Sequence, residues 1–333
     1  MKRFMVCILL LAISACCSFA ASDLCYVGSS GHLYLRSGGT SAANLPNELQ
    51  GGLNKLNGII GGASGGDKQI TPNDMTGGIC RMPLWLDSNR IIFVYDLNPN
   101  SSQPKTKVGI LNLQTKKVDW ISSLGGSISI GFDKATNTVD YMKILKKNTE
   151  SDAFDVYLGQ YSISKGKANS SLAYRGWGYI YPKLMWRWPE PGLRLLPVGT
   201  SDVSDQYGVY SPAKKKFIPL KWFNDDWKNA NLHGWAVMSM GTGPNGMFAM
   251  SVFAGEEGQM GSNLFLLNKS TDAVKKVQTA SATVRSPAFS SDGSMIAWSE
   301  ENFNDSSKTV WISPTSNPRP QNIAKGWDPA WRP

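Results

Sequence analysis

The last seven residues, Trp327-Asp328-Pro329-Ala330-Trp331-Arg332-Pro333, begin a repeat that they do not finish. The copy upstream, Ser286-Pro287-Ala288-Phe289-Ser290, runs on through Ser291-Asp292-Gly293 into Met295-Ile296-Ala297-Trp298-Ser299. The missing continuation stands at the other end of the chain, in Leu24-Cys25-Tyr26-Val27-Gly28 followed by Gly31-His32-Leu33-Tyr34-Leu35-Arg36. A unit split in this way constrains the fold severely. If the tail supplies one strand of a sheet and the head supplies the others, the termini must meet, and an array of sheets closes with no edge strand left at the join.

The intervening sequence supports such an array. Short alternating or aromatic-rich runs separated by Gly, Pro, Asn and Asp recur throughout, and no stretch keeps a helical period. One unit begins at Met82-Pro83-Leu84-Trp85 and runs to Lys117-Val118-Asp119-Trp120, and a second runs from Ile128 to Leu158. A third spans Pro182 to Leu220, a fourth Trp235 to Leu266, a fifth Pro287 to Ile312, and the sixth is the split unit. Spacings of about 40 to 50 residues suit propeller blades of four strands each. Asn245-Gly246 and Asp292-Gly293 are hairpin turns, since Gly and Asn accept positive φ cheaply. The prolines that open several units suit a first strand position, where no ladder hydrogen bond is lost. The expected fold is all-β: a six-bladed β-propeller over residues 21–333, closed by pairing of the C-terminal strand with N-terminal strands, with a Gly-rich loop at about 38–78.

Lys2 and Arg3 precede an apolar run from Phe4 to Ile13, with small residues at Ser18 and Ala20, the layout of a secretory signal peptide over residues 1–20. The run is shorter than the roughly 20 apolar residues that span a bilayer. A second reading takes Ile13-Ser14-Ala15-Cys16 as a lipoprotein box that leaves the chain anchored through a lipidated Cys16. Cleavage after Ala20 leaves Cys25 and Cys80 as an even pair, whereas the lipoprotein form leaves Cys17 as an odd thiol, so parity favours the freely diffusing form in the periplasm or outside the cell. A Cys25–Cys80 disulfide would contribute about 4 kcal/mol in the chain-entropy model. Two buried thiols packing as small apolar groups are the alternative.

The formal charge of +9 includes Lys2 and Arg3, which leaves +7 without the leader. That balance suits an acidic partner, while the scatter of the lysines over short turn groups gives no continuous stripe for nucleic acid. The chain is expected not to span a membrane and to be a monomer.

Ser286-Pro287-Ala288-Phe289-Ser290-Ser291-Asp292-Gly293-Ser294-Met295-Ile296-Ala297-Trp298 resembles the propeller repeat of the TolB family, the periplasmic component of the bacterial Tol-Pal system, and the joined termini match the same pattern. The resemblance implies a six-bladed ring and a part in binding partners within the cell envelope. That family carries a separate α/β domain before its propeller, for which this chain has no room, and its Pal-binding role does not transfer by fold alone.

Chemistry-bearing residues are sparse. His32 and His233 are the two histidines, too few for a His-rich metal centre, so neither metal nor other cofactor is expected. His32 reads as a solvated turn residue. The neighbouring acids Asp225-Asp226 and Glu256-Glu257 point apart in a strand and do not supply the opposed pair that a glycosidic bond needs. Equivalent positions in a ring gather round one mouth of its channel, which brings together Arg81, Arg285, Trp327, Asp328, Tyr181 and His233. Such a rim offers guanidinium forks, aromatic faces and one acid, an anchor for a carboxylate-bearing or peptide partner. Arginines paired to neighbouring strands within the blades are the competing explanation. The function expected is a non-catalytic scaffold binding an envelope protein or peptide, and the alternative is a propeller enzyme, a glycan hydrolase or lyase with carboxylates converging at the channel.

Overall fold

The computed structural model describes residues 23–37, 67–99, 105–148, 153–177, 186–187, 194–198, 206–211, 214, 216–219, 236–256, 259–268, 273–280 and 282–333. The leader, Cys16, Tyr181, His233 and the 38–66 part of the Gly-rich segment lie outside the described residues. Among the described residues antiparallel strands make up nearly all the regular structure, with a 3-10 turn at Ser122–Leu124. Among the described residues no helix is long and apolar enough to cross a membrane.

Four sheets have four strands each, paired in chain order. The first holds β4 (Ile79–Trp85), β5 (Arg90–Asp96), β6 (Thr106–Asn112) and β7 (Lys117–Trp120). The second holds β8 (Ser127–Asp133), β9 (Thr138–Asn148), β10 (Ala153–Ser162) and β11 (Lys167–Trp177). Next come β12 (Trp186–Arg187), β13 (Arg194–Val198), β14 (Gln206–Ser211) and β15 (Lys216–Pro219), then β16 (Ala236–Thr242), β17 (Met247–Glu256), β18 (Gln259–Asn268) and β19 (Ala273–Ala280). The remaining strands are β20 (Ala282–Phe289), β21 (Met295–Asn302), β22 (Lys308–Pro314), β23 (Gln321–Trp331), β1 (Leu24–Gly28), β2 (Leu33–Arg36) and β3 (Lys68–Gln69), joined in that order into one seven-stranded sheet.

That long sheet exists because β23 serves two neighbours. Its first half pairs with β22, Thr309 opposite Lys325 and Ile312 opposite Gln321. Its second half pairs with β1, Leu24 opposite Trp331 and Cys25 opposite Ala330. The change of partner falls at Gly326 (φ 153), where a Cβ would lie 2.2 Å from the Val27 carbonyl oxygen, so only glycine lets the strands approach. Just past the strand, Arg332 N–H donates to the Asp23 carbonyl at 2.8 Å and its guanidinium to the Asp23 carboxylate at 2.6 Å. The tail therefore meets the head as the split repeat requires.

The β4–β7 sheet is hydrophobic on both faces because it lies between two others. In β5, Ile91, Phe93 and Tyr95 enter a core shared with Cys25, Val27, Leu33 and Trp85, while Ile92 and Val94 face a second core with Val108, Ile130, Val139 and Tyr141. This two-sided burial explains the unbroken apolar run Ile91-Ile92-Phe93-Val94-Tyr95, which alternation alone would not produce. At the turn between β16 and β17, Asn245 and Gly246 both have positive φ, at 55° and 72°, as a tight hairpin needs.

Several expectations are corrected. The segment read as loop contains β3, whose Lys68 and Gln69 pair with Leu35 and Tyr34. His32 is not a free turn residue: its Nδ1 lies 3.0 Å from the hydroxyl of the buried Thr71, which also accepts the Leu33 N–H. Cys25 and Cys80 are buried free thiols with no bond between them. Sheet pairing brings them into one core, where they pack as small apolar groups. Burial pushes Cys80 up to about 12 and raises Cys25 well above the ordinary thiol value.

Candidate functional site

Five strands from four sheets converge on one cavity. β16 lies against β20, β20 against β23, β23 against β4, and β4 against β8. The contact is close: a Cβ at Gly241 would sit 1.9 Å from the Pro287 carbonyl oxygen. Indole donors tie neighbouring strands, Trp85 Nε1 to the Ala330 carbonyl at 3.0 Å and Trp331 Nε1 to the Ala288 carbonyl at 3.1 Å. These tryptophans occupy the same repeat position, two residues after the proline in Met82-Pro83-Leu84-Trp85 and Asp328-Pro329-Ala330-Trp331.

The prolines do not open their strands as the sequence suggested. Pro83, Pro287 and Pro329 lie inside β4, β20 and β23, and the ladder is interrupted at each. Proline has no N–H to pair, and it bars the residue before it from right-handed helical geometry. The residues before these prolines, Met82, Ser286 and Asp328, adopt φ of 50°, 51° and 50°. Each is a β-bulge that turns its backbone out of the ladder, with strain of about 1–2 kcal/mol where the residue is not glycine. Aspartate tolerates this conformation better than methionine does.

The three bulges meet at Asp328. Its side chain is 3 % exposed; Oδ2 accepts the Met82 N–H at 3.0 Å and Oδ1 accepts the Ser286 hydroxyl. One carboxylate thus joins β23 to strands on either side of it. The cavity beside this junction measures about 180 Å³ and is lined by Met82, Pro83 and Leu84 of β4, Ser129 and Ile130 of β8, Ser239 and Met240 of β16, Arg285 to Ala288 of β20, and Asp328 to Ala330 of β23.

The candidate rim residues separate on this frame. Arg285 and Asp328 line the cavity; Arg81 and Trp327 stand one residue outside it. Arg81 Nε donates to Asp96 Oδ2 at 3.0 Å, and Arg285 Nε to Glu301 Oε2 at 3.1 Å, so each guanidinium braces the adjacent strand of its own sheet. Lys308 joins the second pair, 3.5 Å from Glu301, and its ammonium sits 4.8 Å over the Trp327 ring. Asp328 was expected to face a partner, yet its oxygens hold the protein's own strands. Met82, Ser286 and Met240 were missed; Pro within an apolar strand was the available signal for the first two.

No protein-family model matches the chain, and no curated protein matches it. Solved structures do. TolB from Acinetobacter baumannii superposes with a TM-score of 0.60 at 13 % identity, covering 94 % of this chain and 67 % of that one. A putative TolB from Agrobacterium tumefaciens gives 0.52 at 11 % identity over 79 % and 87 % of the two chains. A chain from a nidogen/laminin complex gives 0.58 at 9 % identity over 93 % and 98 %. At these identities the likeness is one of fold, and the fold is a β-propeller of the TolB type.

Proposed function

We propose that this chain is an exported, six-bladed β-propeller that acts as a non-catalytic scaffold, seating a segment of a protein or peptide partner of the cell envelope in the mouth cavity. Counting the second half of β23 with β1, β2 and β3 as a four-stranded sheet of its own would make six blades, and the head-to-tail pairing supports a closed ring.

The observation that carries the reading is the convergence of five strands, β4, β8, β16, β20 and β23, on one largely apolar cavity with Arg285 at its border. A space of this size suits one apolar side chain of a partner, while the guanidinium retains donors for a backbone carbonyl or a carboxylate. Hydrolysis of a glycan would need two opposed carboxylates. Among the described residues lining the cavity, Asp328 alone is acidic, and its oxygens are engaged internally. The leader and the repeat resemblance support an envelope location.

Photo-crosslinking tests the proposal. A benzophenone amino acid replacing Met240 should yield one protein adduct in the native envelope, absent when the same group replaces the exposed Lys276. Recovery of glycan alone from the Met240 position would overturn the scaffold reading.

A further inference from the structure

A second cavity, of about 550 Å³, is lined by residues of β6–β7 and of the segment that leads into β4, and it shares no lining residue with the mouth. Its volume falls within the range of roughly 300–1,000 Å³ typical of small-ligand sites. We propose that it binds a saccharide bearing a carboxylate or phosphate.

Trp120, at the end of β7, supplies the platform. It is 42 % exposed, and of the large hydrophobics that stand out among the described residues, with Val274 and Phe303, it alone lines this cavity. Its ring is held in place from below and from the side. Gly109 on β6 leaves room for it, since a Cβ there would come within 3.0 Å of the ring; Phe93 and Tyr95 abut it with centroids 6.0 and 5.8 Å away. A rigid, buttressed and half-open indole costs little entropy when an apolar ring face stacks on it.

Cations line the same cavity. Lys107 Nζ lies 5.6 Å from the indole centroid, and Lys116 and Lys117 line the same cavity. Asp74 and Asp119 are the carboxylates among the lining residues, so the described wall carries a net positive charge and also acceptors for hydroxyl groups. An apolar face flanked by ammonium groups and hydroxyl acceptors matches a sugar ring, with its C–H face, its hydroxyls and an acidic substituent. An acidic peptide adding to the edge of β7 fits less well, because that strand has only four residues and the cavity opens on the indole.

The test uses the full mature chain with glucuronic acid, glucose 6-phosphate, glucose and a Glu-rich peptide as probes, read by indole ¹H–¹⁵N shifts. Both acidic sugars should move the Trp120 signal, identified by its absence in Trp120→Phe, and should bind about tenfold more tightly than glucose. Trp120→Ala should abolish binding. Lys107→Ala combined with Lys117→Ala should remove the preference for acidic sugars without changing the unfolding midpoint, and added salt should weaken it. Equal binding of glucose, acidic-sugar binding that survives Trp120→Ala, or a response to the Glu-rich peptide alone would each overturn the proposal. Partner capture at Met240 should be indifferent to the Trp120 variants, so the two sites fail or stand separately.

Discussion

Replacing Asp328 is the most informative perturbation of the mouth. The carboxylate accepts the Met82 N–H from one neighbouring strand and the Ser286 hydroxyl from another, and it is 3 % exposed. Hydrogen bonds to a charged group contribute about 1.5–3 kcal/mol each, and both donors would be left without their acceptor. Asp328→Ala should therefore cost about 3–6 kcal/mol, and alanine at a φ of 50° adds about another 1 kcal/mol. Asp328→Asn keeps the shape and one acceptor oxygen and should cost roughly half as much. Equilibrium unfolding in urea, with intrinsic fluorescence and circular dichroism followed together, measures the difference. A cycle with Ser286→Ala isolates the pair, with an expected coupling of about 1–3 kcal/mol. A loss below about 1 kcal/mol for Asp328→Ala, or additive single variants, would show that the carboxylate does not join the strands.

Other substitutions probe the rest of the frame by the same unfolding assay. Arg81→Ala should destabilise by about 2 kcal/mol and Arg285→Ala by about 1 kcal/mol or less, because Asp96 is 5 % exposed and Glu301 28 %, and solvent screens the second pair more. Gly241→Ala should cost several kcal/mol or prevent folding, since its Cβ would sit 1.9 Å from a backbone oxygen. Burial holds the Glu300 carboxyl above its usual range, although the Trp298 indole N–H on Oε1 pulls it back. The folded state then holds that proton more tightly than the unfolded chain, so stability falls as pH rises above the ordinary Glu value, and Glu300→Gln should flatten that slope in melts from pH 4.5 to 7. Protein prepared under reducing conditions should react at Cys25 and Cys80 with a thiol reagent at neutral pH only on unfolding, since burial keeps both protonated. Prompt labelling of the native protein would contradict their placement in the core.

What the sequence disclosed followed physical distance along the chain. The seam was legible because Asp328-Pro329-Ala330-Trp331 repeats Ser286-Pro287-Ala288-Phe289, and a repeat carries its pairing with it. The run Ile91 to Tyr95 marked a strand, though its burial on both faces emerged only from the stacking of sheets. Arg81 and Arg285 could be placed at matching positions, but their acceptors lie 15 and 16 residues on, across a register that the bulge shifts. The bulges themselves were misread because a proline at a strand start and one at an internal bulge leave the same residue pattern. Trp120 was recognised as the end of a strand, but the cavity beside it is completed by Pro72, Asp74, Met75 and Thr76, which belonged to the presumed loop.

Cross-strand nuclear Overhauser contacts at the head-to-tail seam test closure most directly. Pairing of β1 with β23 predicts contacts linking Leu24 to Trp331 and Cys25 to Ala330, all lost when the chain is cut after Lys325. Absence of these contacts in the intact protein, with the Leu24–Arg36 pairing of β1 and β2 still visible, would contradict a ring joined by its own ends.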